Sequence, residues 1–431
     1  MEERRILFEG IDTPDIDRWP VYGEHGGGEG LRRAQSLPPA TVIDEVGAAG
    51  LRGRGGAWRP VGERWRLAAS GGGAGYLIVD LLESEPGRFR DRKLAERTPH
   101  RILEGARIAA HAVGAHTVYI CIAAAALRAR QALAQALEET RIEPVAVHLH
   151  PVSGRLPVAS GDSLPVALVQ GGRAEPRADD GNPSLPRLFD GTAVVHTAST
   201  LGYLPALLAT GGDVFGNEGS RWAPGTQAFC VSGLVRRPGL YEVELGGGTV
   251  RDLVEDLAGG ARDGQSIKFV LHAGYGSAPA LLEEDLDRPL DPGCWSDPAG
   301  GKNPGVFGGG VVLVADDSVC AVDTARRMAR TFADSACGKC LPCREGTQWL
   351  AATLDRLEEG AAILQDLELI TRCCTTLTPD LALCGHGPAA ARGIQSLLTA
   401  FTDEFEAHLE GGCPVAKDSS MKVPDSIHVR Y

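Results

Sequence analysis

Two textures alternate along the first half of the chain. In "PATVIDEVGAAG" (39–50) the apolar Val42, Ile43 and Val46 recur at helical spacing, with Gly50 as a stop signal. "YLIVDLL" (76–82) is a continuous apolar run of strand length. "HRILEGARIAAHAVGA" (100–115) has the period of an amphipathic helix. "HTVYICI" (116–122) reads as a buried strand and "RARQALAQALEE" (128–139) as another helix. Strand and helix in alternation predict an α/β domain over 36–226 built on a mostly parallel sheet. Residues 150–192, rich in Gly, Pro and Asp, read as mostly loop, and residues 1–35 as a loose, Gly-rich lead.

The pattern changes after about residue 226. "TQAFCVSGLVRRPGLYEVEL" (226–245) is two strands around a Pro-Gly turn, "TVRDLVEDLAG" (249–259) a short helix and "IKFVLHAG" (267–274) a third strand. This ββαβ unit predicts a small α+β domain over 227–321. From 322 to 431 the helical period dominates, as in "TARRMARTFA", "TQWLAATLDRLEEGAAIL" and "GIQSLLTAFTDEFEAHL", and predicts a helical bundle. The expected fold is therefore multidomain: α/β, then α+β, then α.

The 431 residues are 43% hydrophobic and 23% charged, an ordinary globular composition. The longest apolar run, "VYICIAAAAL" (118–127), is about half of what a bilayer crossing needs, and "MEERRILFEG" has no secretory h-region. A formal charge of -13 argues against nucleic acid or an anionic membrane as main partner. The expectation is a cytoplasmic chain with no direct membrane insertion, in which cysteines are not a disulfide framework.

Eight of the eleven cysteines lie from Cys320 onward. "SACGKCLPCREG" (335–346) spaces Cys337, Cys340 and Cys343 at C-x-x-C-x-x-C. Structural zinc normally takes two separated C-x-x-C knuckles or mixed Cys/His pairs. Three ligands from one loop suit an iron–sulfur cluster better. The fourth ligand is expected from Cys384 in "LALCGHG", beyond a helical hairpin, rather than from the adjacent Cys373 and Cys374, which point in different directions. A helix beginning after Pro342 would aim its N-terminal dipole and Arg344 at the anionic cluster. Zinc and plain thiols stay open as alternatives. Cys121, Cys230, Cys294, Cys320 and Cys413 read as small buried hydrophobes. In "GLRGRGGAWRPVGER", Gly53, Gly55 and Gly56 would let backbone approach a phosphate or a ring, with Arg52, Arg54, Arg59 and Arg64 adding positive charge. Glu83 and Glu85 follow a buried strand at a turn, where ligands sit in open α/β sheets.

With "SACGKCLPCREGT" followed by "LCGHG", and with "GLRGRGGA" (50–57), "ESEPGRFRDR" (83–92), "PHRILEGARIAA" (99–110), "TLGYLPALL" (200–208) and "VSGLVRRPGLYEV" (231–243) in order, the chain resembles the flavin- and NADH-binding subunit of respiratory complex I. It is similar in the same way to the diaphorase subunits of hydrogenases and formate dehydrogenases. The resemblance implies an α/β flavin domain, a ubiquitin-like β-grasp insert and a helical domain carrying a [4Fe–4S] cluster. In that family NADH gives a hydride to FMN, which passes single electrons to the cluster. Carried onto this chain, the resemblance makes Gly53, Gly55, Gly56, Arg64, Asp80, Glu83, His196 and Thr197 candidates for the flavin and nucleotide. Cys337, Cys340, Cys343 and Cys384 become candidates for the cluster.

The departures fall in the pocket. The family's "GRGGAGFPTGLKW" is here "GRGGAWRPVGERW", so Trp58 replaces a glycine, Arg59 an aromatic and Arg64 a lysine. "CNADE" becomes "VDLLE", with Asp80 for an amide and Leu82 for a carboxylate. "RGE" becomes Ile122–Ala124, "YICGEET" aligns with Pro157–Ser163, and an Asn-Asn pair becomes His196 and Thr197. At about 1–3 kcal/mol for each lost contact, the sum is on the order of 5 kcal/mol. That would move a nanomolar flavin site into the micromolar range. The leading expectation is an electron-transfer subunit with one cluster, a degraded or remodelled FMN/NADH pocket and a ferredoxin-type iron–sulfur protein or other redox subunit as partner. The alternatives are an active NAD(P)H-oxidising FMN/[4Fe–4S] oxidoreductase and a zinc-stabilised interaction module.

Overall fold

In the computed structural model, residues 1–140, 145–159, 161–177, 185–276, 279–295, 307–411, 413 and 415 are described. Two short helices, α1 (Trp19–Glu24) and α2 (Glu29–Ser36), precede α3 (Pro39–Ala48) and α4 (Val61–Ser70). An alternating series follows: β1 (Tyr76–Leu81), α5 (Arg90–Arg97), α6 (Pro99–Val113), β2 (Thr117–Ala123), α7 (Leu127–Glu139), β3 (Ala146–Val152), α8 (Ser163–Val169), β4 (Arg187–Leu188) and β5 (Gly191–Thr197). The five strands lie in the order β3-β2-β1-β5-β4, parallel except for β4. Along β1, Leu77, Val79 and Leu81 face a core shared with α3, α4 and α6, while Tyr76 and Ile78 face a second core beneath α8. Both faces are covered, which is why the strand reads as an unbroken apolar run.

The lead is not loose. Ile6, Leu7, Phe8 and Ile11 are buried in the main core. The buried Glu242 carboxylate accepts the backbone N–H groups of Ile6, Leu7 and Phe8 at 3.0, 2.8 and 2.8 Å. The glycines near Gly28 set turns between α1 and α2 rather than marking a flexible arm.

Helices α9 (Ala198–Gly202), α10 (Leu204–Thr210) and α11 (Gly212–Gly216) lead to a second sheet of β6 (Thr226–Gly233), β7 (Gly239–Glu244), β8 (Ile267–Leu271) and β9 (Val311–Asp316). Its order is β7-β6-β9-β8, with the central β6 and β9 parallel and the flanking pairs antiparallel. A helical turn at Asp252–Leu257 packs on it through Leu253 and Val254. The chain continues as α12 (Ala321–Ser335), α13 (Leu341–Glu358), α14 (Leu364–Thr376), α15 (His386–Ala400) and α16 (Thr402–Leu409), which share one apolar core. Among the described residues no helix is long and apolar enough to cross a membrane.

Candidate functional site: a cleft joined to a four-cysteine centre

β1 connects onward to β2 on one side, whereas β5 lies on its other side, so the strand order reverses between β1 and β5. In open α/β sheets that reversal opens a crevice at the carboxyl ends of the strands. Here a cleft opens there, lined by the ends of β1 (Asp80, Leu82, Glu83) and β5 (His196, Thr197) and by the loop residues Gly53, Gly55 and Arg59. Arg64 of α4, Arg88, Asp91 and the segment around Gly161–Asp162 complete it. Seven of the eight residues expected for flavin and nucleotide therefore meet. Gly56 does not: at φ +106 it packs against the Gly308–Gly309 backbone, where a Cβ would come within 3.3 Å. Glu85 also turns away, paired with Arg88 at 3.0 Å.

The loop arginines divide by role. Arg54 is fully buried, donating to the Pro224 carbonyl at 2.6 Å. Arg52 lies over the Trp222 ring at 4.1 Å. Only Arg59 and Arg64 of the four face the cleft. Arg64 meets Asp162 at 2.6 Å. Asp162, Arg88, Asp91 and Ser84 are cleft residues absent from the sequence expectation; of these, Asp162 lies in the Pro157–Ser163 stretch aligned there with "YICGEET", so the signal was present. Ser160 of that stretch lies outside the described residues.

Trp58 is the largest surprise. It sits at φ +51, a left-handed backbone position that suits glycine. Its indole packs with Phe307 and Trp222 on the core of the second sheet and donates to the Gly308 carbonyl at 3.0 Å. The ring is thus anchored on that side instead of filling the cleft.

Electrostatics at the cleft floor follow from burial. Asp80 is raised to about 6, by desolvation first, although it accepts the Leu82 N–H at 3.1 Å. Glu83, at φ +46, accepts the Asp91 N–H at 2.7 Å, and burial and then the Asp91 charge push it up. His196 is lowered to about 3 by burial and by Arg64, so its ring is neutral. Its Nε2 accepts the Trp65 indole N–H at 3.0 Å, which leaves the proton on Nδ1. Thr197 caps α9 by accepting the Thr200 N–H.

Cys337, Cys340, Cys343 and Cys384 converge beside this cleft. Cys340 is the N-cap of α13, which begins at Leu341 with Pro342 in its first turn and Cys343 one step further. Burial, and then the neighbouring Cys340, Cys384 and Cys337, push the Cys343 thiol up to about 12. Four thiols drawn from a helix N-terminus and one distant loop fit the donor set of a [4Fe–4S] cluster. Cys373 and Cys374 are buried within α14. Arg344 is mostly exposed and paired with Glu345 at 2.8 Å, so the helix end alone faces the centre. Of the cysteines read as small buried hydrophobes, Cys121 and Cys230 are buried, Cys294 is exposed, and Cys320 and Cys413 sit together beside His408.

Cleft and centre touch. The Val158 N–H donates to His386 Nδ1 at 3.0 Å, two residues after Cys384, while His386 Nε2 bonds the Phe332 carbonyl at 2.9 Å. Gly385 lies so close to Ala159 that an added Cβ would meet its carbonyl at 3.1 Å.

Family models match three stretches: a Nuo51 FMN-binding domain over 46–204, an SLBB domain over 228–278, and the NADH-ubiquinone oxidoreductase-F iron–sulfur binding region over 323–408. The second of the NADH-quinone oxidoreductase F subunits of Rhizobium meliloti (strain 1021) is 34% identical over 419 residues, 94% of this chain and 97% of that protein. The chain belongs to the family of NADH-quinone oxidoreductase F subunits. The F subunit of Escherichia coli (strain K12) is 32% identical over 413 residues, 91% of each chain. A chain of the NAD+-reducing [NiFe]-hydrogenase, in its air-oxidized crystal structure, superposes with a TM-score of 0.77 at 26% identity. That match covers 97% of this chain and 69% of the other. As a family member the chain is an electron-transfer, NADH dehydrogenase flavoprotein-like subunit with an FMN-binding domain and an iron–sulfur region.

Proposed function

We propose that this protein moves single electrons through one [4Fe–4S] cluster held by Cys337, Cys340, Cys343 and Cys384, beside an FMN/NADH cleft that has been chemically remodelled. The observation that carries it is the direct contact of the cleft wall with the cluster loop, Val158 N–H to His386 Nδ1 at 3.0 Å. FMN bound in the cleft would supply the exchange between a hydride pair and single electrons. Gly53 leaves its backbone open, with no atom closer to an added Cβ than the Arg59 carbonyl at 3.7 Å. Neutral His196 offers an Nδ1–H donor, and Arg64 supplies positive charge for a phosphate once it leaves Asp162. Against this, Asp80 places a carboxylate where the family has an amide, and Leu82 offers no side-chain donor or acceptor. The reading therefore includes weak flavin retention and little NADH oxidation.

A ferredoxin-type iron–sulfur protein is the partner this reading implies. Leu341, Leu381 and Trp349, all exposed, lie on the cluster-bearing helices and loop and supply an apolar docking patch. The second reading, a working NAD(P)H-oxidising enzyme, is favoured by the anchoring of Trp58 away from the cleft. Iron, sulfide, zinc and FMN are to be measured on anaerobically purified protein, followed by NADH-dependent ferricyanide reduction. A cluster-replete protein with well under one FMN per chain and little turnover is expected. Stoichiometric FMN with rapid bleaching by NADH returns the chain to the active enzymes. Colourless protein with zinc at the four cysteines leaves only an interaction module.

A further inference from the structure

A second donor group lies in the helical domain. Among the described residues, the ligand atoms of Cys320, His408 and Cys413 all lie within 4.8 Å of one another. Cys320 is the N-cap of α12, and its Sγ is 3.5 Å from His408 Nε2. His408, in α16, is fully buried. Its Nδ1 bonds the Glu404 carbonyl at 2.6 Å, so Nδ1 carries the proton and Nε2 presents a lone pair. Glu358, the last residue of α13, brings Oε2 to 3.5 Å from the same Nε2. That oxygen is buried and has no hydrogen-bond partner.

A core cluster of thiols and imidazole packed for shape alone would not need this arrangement. Two sulfurs, one imidazole nitrogen with its other nitrogen held by a carbonyl, and one unpartnered carboxylate oxygen make a four-donor S2NO set. Zinc takes such sets tetrahedrally, and calcium and magnesium do not. We propose that Cys320, His408, Cys413 and Glu358 bind one zinc ion, which ties the segment after α16 to the starts and ends of α12 and α13.

The group is not a spare ligand set for the cluster. Cys320 opens α12, whose far end leads to Cys337, and Glu358 closes α13, whose first turn holds Cys343. The eighteen residues of α13 separate the two ends by about 27 Å at 1.5 Å per residue. The ion would clamp the bundle at the end opposite the redox centre, a structural role in keeping with four protein ligands and no open position.

The test uses the full, untagged chain with its cluster intact. Elemental analysis should find one zinc per chain in addition to the cluster iron, and zinc-edge X-ray absorption should show two sulfur and two lighter ligands. Cys413→Ser and His408→Gln should lose the zinc with iron and sulfide unchanged. Glu358→Gln should give up zinc to a chelator about 10–100-fold more readily. Cys413 is half-exposed near the chain end, so its serine variant stays informative if Cys320→Ser does not fold. Iron-replete protein without zinc that takes up none when it is added, a Cys320–Cys413 disulfide in fresh protein, or unchanged zinc in Cys413→Ser would each overturn the proposal.

Discussion

At the scale of single residues, Asp80 and Cys384 make the clearest predictions. Asp80 has a folded pKa of about 6 against an ordinary 3.8, caused by burial. A raised carboxyl favours the fold only while protonated. Its ionisation therefore costs stability, increasingly from below pH 4 up to about pH 6 and constantly above that. The full shift corresponds to about 3 kcal/mol, and water in the open cleft reduces it to about 1 kcal/mol. Asp80→Asn should raise the thermal midpoint at pH 7, with a gain that is flat above pH 6 and shrinks on acidification towards pH 4. A gain independent of pH would show that Asp80 acts by something other than its charge. Cys384→Ala should lose iron and sulfide, whereas Cys373→Ala, within α14, should keep both. Trp58 marks what the sequence leaves out at this scale. The glycine-to-tryptophan change is visible there, but whether the indole enters the cleft depends on Phe307 and Trp222, far along the chain.

At the scale of elements, periodicity finds those whose burial is one-sided or complete. The helices α3, α6 and α7 and the strands β1 and β2 are legible, because each carries an apolar stripe or run. β3 is not, since "AVHLHPV" is an edge strand with exposed and half-buried positions nearly throughout. β9 is a different case: "VVLVA" (311–315) is as apolar as β1, and the ββαβ reading simply lacks it. The buried lead was illegible because what holds it, Glu242, is more than two hundred residues away. Close approaches between elements are equally non-local. An added Cβ at Gly393 of α15 would lie 2.2 Å from the Tyr275 carbonyl and 2.4 Å from Met328 Cε. Gly393→Ala should therefore force the helical domain away from the second sheet and destabilise the protein by about 1–3 kcal/mol. Chemical denaturation checks it, and an unchanged midpoint would mean the junction yields without cost.

At the scale of the whole molecule, the order of motifs was enough to lay out flavin-type domain, β-grasp insert and cluster domain, while the balance of charge inside the cleft needed coordinates. Four carboxylates, Asp80, Glu83, Asp91 and Asp162, face Arg59, Arg64 and Arg88 across one opening. Asp91 is already committed, accepting the Ser199 N–H at 2.6 Å, and Glu83 holds the Asp91 N–H. Asp162 is committed to Arg64, and that pair decides whether a phosphate finds a free cation. An incoming phosphate must compete with a carboxylate 2.6 Å from the guanidinium. Freeing Arg64 is worth about 1 kcal/mol for a partly exposed pair, which is about fivefold in affinity. Asp162→Asn should thus tighten FMN binding about fivefold while leaving riboflavin, which has no phosphate, unchanged. Titration of both flavins into cluster-replete protein separates the outcomes. Equal gains for both would mean that Asp162 acts on the ring end of the cleft, and no gain for either would mean that Arg64 does not meet the phosphate.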